Sequence, residues 1–279
     1  MSERSLDWAM PVMRTGYAGR GLVYVIVAGI SLFAIWRGGQ AQGTSDALAA
    51  VESSPFGKIL LTLVALGLFA YMIWRLIDAY FDLEDKGTDA KGIAARIGQA
   101  VTGLIHGALG VLTVSLMLSS GGGSGGSKTA YYLNQLMAMP GGNWVVGIAG
   151  VVTMGAGVYY LHKAWSQKYL QVLRANHFTM NWNQVLRAGV AAQGATVLII
   201  GYLILRAART SDGSDAGGLD KAFGWLSQQT YGQLLVTAMC LGLLGFALFM
   251  FVNAMYRIVP RLKDPDVSSV AREIKAKAS

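Results

Sequence analysis

The residues most able to do chemistry in this chain are ionisable groups within long apolar stretches. His106 falls near the middle of one such stretch, between Arg96 and Ser119. A neutral imidazole there would bond a backbone carbonyl or a tyrosine hydroxyl, or else contact a proton or a ligand. Asp78 lies three residues after Arg75, a spacing that pairs the two on one helix face. Asn253 takes the place of Asp78 further along the chain. Arg14, Arg96 and Arg187 recur at corresponding points. They can snorkel to lipid phosphates, mark topology, or form a ring for an anionic solute. The chain has only three histidines and one cysteine, Cys240, and no nucleophile–base pair is evident. That pattern predicts no metal site, no cofactor and no enzymatic activity.

What could hold such groups away from water follows from composition. Of 279 residues, 53% are hydrophobic and 14% charged, and the mean hydropathy is +0.44. Soluble domains carry about 25% charged residues. Six apolar runs, near 18–37, 58–80, 96–119, 143–165, 187–208 and 232–257, each reach the roughly 20 residues a membrane-spanning helix needs. They are continuous rather than alternating, which excludes barrel strands. The first run ends in Ile35-Trp36-Arg37 with no small-residue cleavage site, so it is expected to be a retained span.

The net charge is +8, and topology accounts for it without nucleic acid. Seventeen of the 23 Lys and Arg fall on the side of the termini, the second loop and the fourth loop. The positive-inside rule then predicts cytoplasmic termini in a bacterial cytoplasmic membrane. The mixed-sign second loop, Asp78 to Lys91, is expected to be solvated. The fourth loop, Lys168 to Trp182, is expected to form an interfacial helix, and the basic tail after Pro265 to meet anionic lipid.

The spans repeat. R-x-G-x4-G opens each odd span, at Arg14, Arg96 and Arg187. The even spans share a glycine followed by an aromatic four residues on: Gly67 and Tyr71, Gly155 and Tyr159, Gly242 and Phe246. His106 is matched by Tyr24 and Val197, so the repeat does not demand a histidine. Short outer helices are predicted from Ser45, as an N-cap, to Glu52, from Ser127 to Met137, and from Leu219 to Leu226. The Gly121–Ser127 run reads as a flexible linker. The units are residues 1–13 (tail), 14–95, 96–186 and 187–258 (repeats), and 259–279 (basic tail). Gly98, Gly103, Gly107 and Gly110 should form a packing seam, with Gly147, Gly150 and Gly155 doing the same in the fourth span.

R-x-G-x4-G, an outer Pro-Phe-Gly and G-x3-Y-x2-W-R together resemble a bacterial membrane family called domain of unknown function 1206. The resemblance covers roughly residues 14–257. It implies three tandem two-helix repeats, six helices in all, and no assigned activity. The expected fold is an all-α membrane bundle compatible with a pseudo-threefold arrangement. The expected surroundings are the lipid bilayer and a membrane-protein partner or second copy. The function read from sequence is a non-enzymatic scaffold or accessory subunit. The alternative is a small-solute or ion transporter with a polar path near His106.

Overall fold

The computed structural model describes residues 8–118, 125–214, 216–262 and 269–270, with the backbone alone for 125–130. Ten helices occur among them: α1 (Ala9–Trp36), α2 (Thr44–Glu52), α3 (Gly57–Phe81), α4 (Ala90–Leu118), α5 (Gly125–Ala138), α6 (Gly142–Ser166), α7 (His177–Asn181), α8 (Asn183–Thr210), α9 (Leu219–Ser227) and α10 (Gly232–Tyr256). Helices α1, α3, α4, α6, α8 and α10 are long and apolar enough to span a membrane. In hydrocarbon a helix satisfies its own backbone groups, and these runs offer no alternative pairing. The protein is therefore an all-α, multi-pass membrane protein of three tandem two-helix repeats.

The six spans pack side by side in the order α4, α3, α1, α10, α8, α6, and α4 and α6 are not among the closely packed pairs. Small residues make the closed seams. A side chain on Gly16 would meet the Tyr71 backbone at 2.6 Å, and Gly19 lies directly on Gly67. Gly21 faces Met250 and Phe251, which joins α1 to α10, and Gly189 lies on Gly245 and Phe246. Such approaches let dispersion contacts replace the hydrophobic drive that lipid does not supply.

The start of α1, the end of α10 and the α3–α4 and α6–α8 connections lie at one end of the bundle, called here the clamp end. At the opposite end α2 and α9 cover the bundle, with Leu48 and Phe223 buried in one apolar cluster.

Several expectations change. Ser45 is not the cap of α2: the helix begins at Thr44 after an extended Gly43, with no side-chain cap. Residues 125–127 of the glycine-rich run belong to α5, and 121–124 lie outside the described residues. The fourth loop is not one interfacial helix. It is a 3-10 turn, Lys168–Val172, then α7, which Asn176 and Thr179 start with a reciprocal capping box. Tyr169, Leu170 and Leu173 are buried beneath it. Leu173 pairs through its backbone with Arg257, and Arg174 with Ser269. The rest of the basic tail from 263 lies outside the described residues.

Candidate functional site

Tyr71 on α3 organises a buried polar cluster between the spans, called here the chamber. Its phenol oxygen accepts from Arg20 Nη1 of α1 at 2.8 Å and from Arg75 Nε, one turn along its own helix, at 2.9 Å. A hydroxyl has two acceptor sites and one donor. With both acceptor sites filled by guanidinium groups, Tyr71 has only its O–H left to offer. Tyr17 packs edge-on against Tyr71 with ring centroids 5.4 Å apart. The Tyr17 ring also takes Arg75 and Arg257 at 5.7 and 5.3 Å.

Arg20 is 4% exposed. Its surroundings are aromatic: it lies 5.1, 5.8 and 5.4 Å from the Tyr71, Tyr24 and Phe246 ring centres. The Tyr160 hydroxyl on α6 also approaches it. Its Nε has no hydrogen-bond partner. Among the described residues no carboxylate pairs with it. By helix rise, Arg20 stands roughly 16 Å inside the clamp end of α1.

Toward the clamp end the carboxylates appear. Glu84 accepts from Arg257 Nη2 at 2.5 Å and Nε at 3.0 Å, and faces Arg75 at 3.5 Å and Lys86 at 3.4 Å. Burial alone would raise its carboxyl pKa. The cations around it, Arg257 first, hold it well below the usual carboxylate range. Asp82, just beyond α3, is likewise lowered despite burial, by the Lys86 and Gly87 N–H groups and Arg261. So the second loop is not simply solvated: Asp82 and Glu84 are buried.

The candidate residues are distributed as follows. Asp78 is fully buried, 3.4 Å from Arg75, and accepts from Gln99 at 2.7 Å and from the Glu84 N–H at 3.0 Å. Asn253 is also fully buried. It donates to the Phe249 carbonyl and accepts from Arg257, so Arg257 and Glu84 connect it to Asp78. His106 is nearly buried on α4. Its Nδ1–H donates to the Thr102 carbonyl of its own helix at 2.7 Å, and its ring lies 4.9 Å from Tyr71.

The three repeat arginines form no ring. Arg14 is exposed. Arg96 donates to the Ala79 and Tyr80 carbonyls that end α3, and Arg187 lies over the Trp165 ring. Arg75 alone among the predicted arginines enters the chamber. Gly103, Gly107 and Gly110 pack on Arg75, Met72 and Phe69 of α3, but Gly98, expected in that seam, meets nothing within 4 Å. In α6, Gly150 and Gly157 pack on Leu205 and Leu198, while Gly155 faces open space.

Sequence reading missed Arg20, Tyr71, Tyr160, Lys163, Glu84 and Arg257. Arg20 was countable only as a topology charge, yet it lies one turn from Gly16 on the close-packed face. The offsets relating Arg14 to Arg96 and Arg187 place Arg20 in register with Thr102 and Gln193. A polar residue in all three copies was the available signal. Lys163 of α6 lies over the Tyr160 and Phe249 rings; in formal charge the guanidinium groups of Arg20, Arg75 and Arg257 stand against Asp78 and Glu84, an excess of one cation. Uncompensated charge in hydrocarbon costs several kcal/mol per ion, so the arrangement favours an anionic occupant. No group of three or more metal-ligating side chains occurs among the described residues.

The model of one family, Domain of Unknown Function (DUF1206), matches residues 15–82, 97–167 and 188–257. The chain is similar to Uncharacterized protein YxxB of Bacillus subtilis (strain 168). The two are 25% identical over 263 residues, which is 92% of this chain and 94% of the relative. No solved structure matches the chain.

Proposed function

The chain belongs to the DUF1206 family, and we propose that it is a non-enzymatic transporter whose solute carries an oxyanion, bound in the chamber behind Arg20. One observation carries this reading: two guanidinium groups converge on Tyr71, and Arg20 has neither a carboxylate nor a partner for its Nε. An oxyanion would accept from Arg20 Nε and from the Tyr71 hydroxyl, and would offset the excess positive charge. His106 borders the chamber, and its Nδ1–H is already committed to Thr102.

The Lys and Arg bias supports placing both termini in the cytoplasm of a bacterium, with the clamp end facing inward. A reporter fused at Ser279 that worked only outside the cell would sink that placement.

The transport reading is tested in proteoliposomes loaded with phosphate, sulfate or chloride. Arg20→Gln should reduce oxyanion flux at least about tenfold, as expected for a lost charge-assisted contact. Absence of any wild-type flux or binding of these anions would remove it. A scaffold role is the second reading, favoured by the open glycine face of α4 and α6. Co-purification of a stoichiometric second membrane protein would support it over transport.

A further inference from the structure

Glu84 reaches into the bundle from the α3–α4 loop and fills a space shaped for an anion. Its Oε1 accepts from Arg257 Nε and Nη2 and faces Arg75 Nη1 at 3.5 Å. Its Oε2 faces Lys86 Nζ and Gln99 Nε2, each at 3.4 Å. One oxygen thus meets the chamber cations. The other meets the mouth at the clamp end, where the Lys86 side chain is 35% exposed and that of Glu84 only 5%. Arg75 continues inward: its Nε donates to Tyr71, which also accepts from Arg20. A line of polar contacts therefore runs from Lys86 through Glu84, Arg75 and Tyr71 to Arg20, with the Glu84 carboxylate in its path.

The two guanidinium groups keep their places without Glu84. Arg257 Nη1 donates to Asn253, its guanidinium lies 5.3 Å from the Tyr17 ring centre, and its backbone pairs with Leu173. Arg75 has Tyr71, Asp78 and the Tyr17 ring. The Glu84 backbone is pinned as well, by its N–H on Asp78 and by buried Leu83 before it. The Glu84 carboxylate is held differently, by cations and the Gln99 amide, contacts that any oxyanion can make in its place. Rotation of that one side chain toward the mouth leaves Arg257 and Arg75 with Asp78 alone. A buried cation pair that loses a negative charge needs another.

We infer that Arg75 and Arg257 form a second oxyanion site on the clamp side of the first, and that the Glu84 carboxylate is its tethered occupant, which a passing solute displaces. This rests on the oxyanion reading above and places the solute's passage at the clamp end. The exchange keeps an anion on the guanidinium pair throughout, so no bare cation pair has to form away from water. Lys86, on the mouth-side oxygen, gives the displaced carboxylate a partner at the water boundary. The space the solute enters is the one the carboxylate now fills. From there Arg75 hands it to Tyr71 and Arg20.

The test uses the full chain, with acetate and sulfate as probes. Glu84→Ala removes a group of acetate's size and charge. Acetate at about a hundred times its dissociation constant should raise the thermal midpoint of this variant in detergent by at least about 5 °C, and that of the wild type far less. Adding Arg257→Gln to Glu84→Ala should abolish the rise. In proteoliposomes the sulfate concentration for half-maximal flux should fall in Glu84→Ala, because the solute no longer competes with an internal anion. The wild type supplies a measurement that does not depend on the variant folding. Saturating sulfate should increase labelling of Glu84 by a water-soluble carbodiimide and an amine several-fold, read by peptide mass spectrometry, and leave exposed Asp212 unchanged. A Glu84→Ala midpoint indifferent to both anions, an unchanged half-saturation concentration, or Glu84 labelling unmoved by sulfate each overturns the inference. Wild-type flux that still depends on Arg20 then leaves the oxyanion reading standing. Absence of wild-type flux overturns both, since a midpoint rise in Glu84→Ala would then mark a repaired clamp and not a site of passage.

Discussion

In the first repeat Gly16 and Gly19 bring α1 onto the backbone of α3, and in the third Gly189 brings α8 onto α10. In the second repeat Gly98 and Gly155 carry the same residue type at matching positions and touch nothing. The difference lies in which face α6 presents. Tyr71 and Phe246 point inward, whereas Tyr159 points out and the next residue, Tyr160, faces Arg20. One residue is about 100° of helix rotation. That rotation turns Gly150 and Gly157 onto α8 and takes Gly155 away from α4. A glycine motif therefore permits close approach without dictating it. The partner that arrives is set by the rest of the helix face.

The largest effect should come from the clamp that holds the closed repeats together. Glu84 joins Arg75 of the first repeat to Arg257 after the third. Glu84→Gln leaves Arg257 without its carboxylate and Arg75 with Asp78 alone, a loss of about 3–5 kcal/mol for a buried pair. The midpoint of thermal unfolding in detergent should drop accordingly. Because the folded pKa of Glu84 is depressed, its contribution is fully present above the ordinary Glu value. It is lost as pH falls below that value toward the depressed one. The wild-type midpoint should decline over this acid range, and the Gln variant should decline less steeply. Equal slopes for the two would refute the clamp.

A middle-sized effect separates the seams. Gly19→Ala and Gly189→Ala drive a methyl into a facing backbone and should each destabilise by about 1–3 kcal/mol, as overpacking does. Unchanged midpoints would mean that these seams are not closed in the membrane. The smallest effect belongs to the second repeat. Gly98→Ala and Gly155→Ala meet open space, and alanine favours helix over glycine by up to about 1 kcal/mol. Their midpoints should hold or rise slightly. A fall as large as that of Gly189→Ala would show that α4 and α6 do meet, and the contrast between repeats would disappear.

The six spans, the repeat and the outer helices were legible because lipid imposes length and continuity on the sequence. The open face at Gly98 was not, since Gly98 and Gly16 are the same letter in the same motif and only tertiary packing tells them apart. The chamber was half legible. Asp78, Asn253, Arg75 and His106 stood out as polar groups in apolar runs. Arg20, Lys163 and Arg257 lay close enough to span ends to be counted as topology signals. Glu84 was hidden in a loop of mixed charge, where nothing local marks the one carboxylate that a distant Arg257 will bury. The three repeat arginines misled for the opposite reason: recurrence implied a shared ring, but Arg14 is exposed and Arg96 and Arg187 have different local partners.

The packing of α1 against α10 has a consequence for biosynthesis. Gly21 waits for Met250 and Phe251, which leave the ribosome roughly 230 residues later. At about 5–20 residues per second this is on the order of 10–50 s. Through that interval the first helix is in the bilayer with one close-packing face uncovered, Arg20 without the Phe246 ring and Glu84 without Arg257. The α1–α10 seam thus forms only after α10 is made, and a chain that stalls before residue 232 leaves its oldest helix without α10.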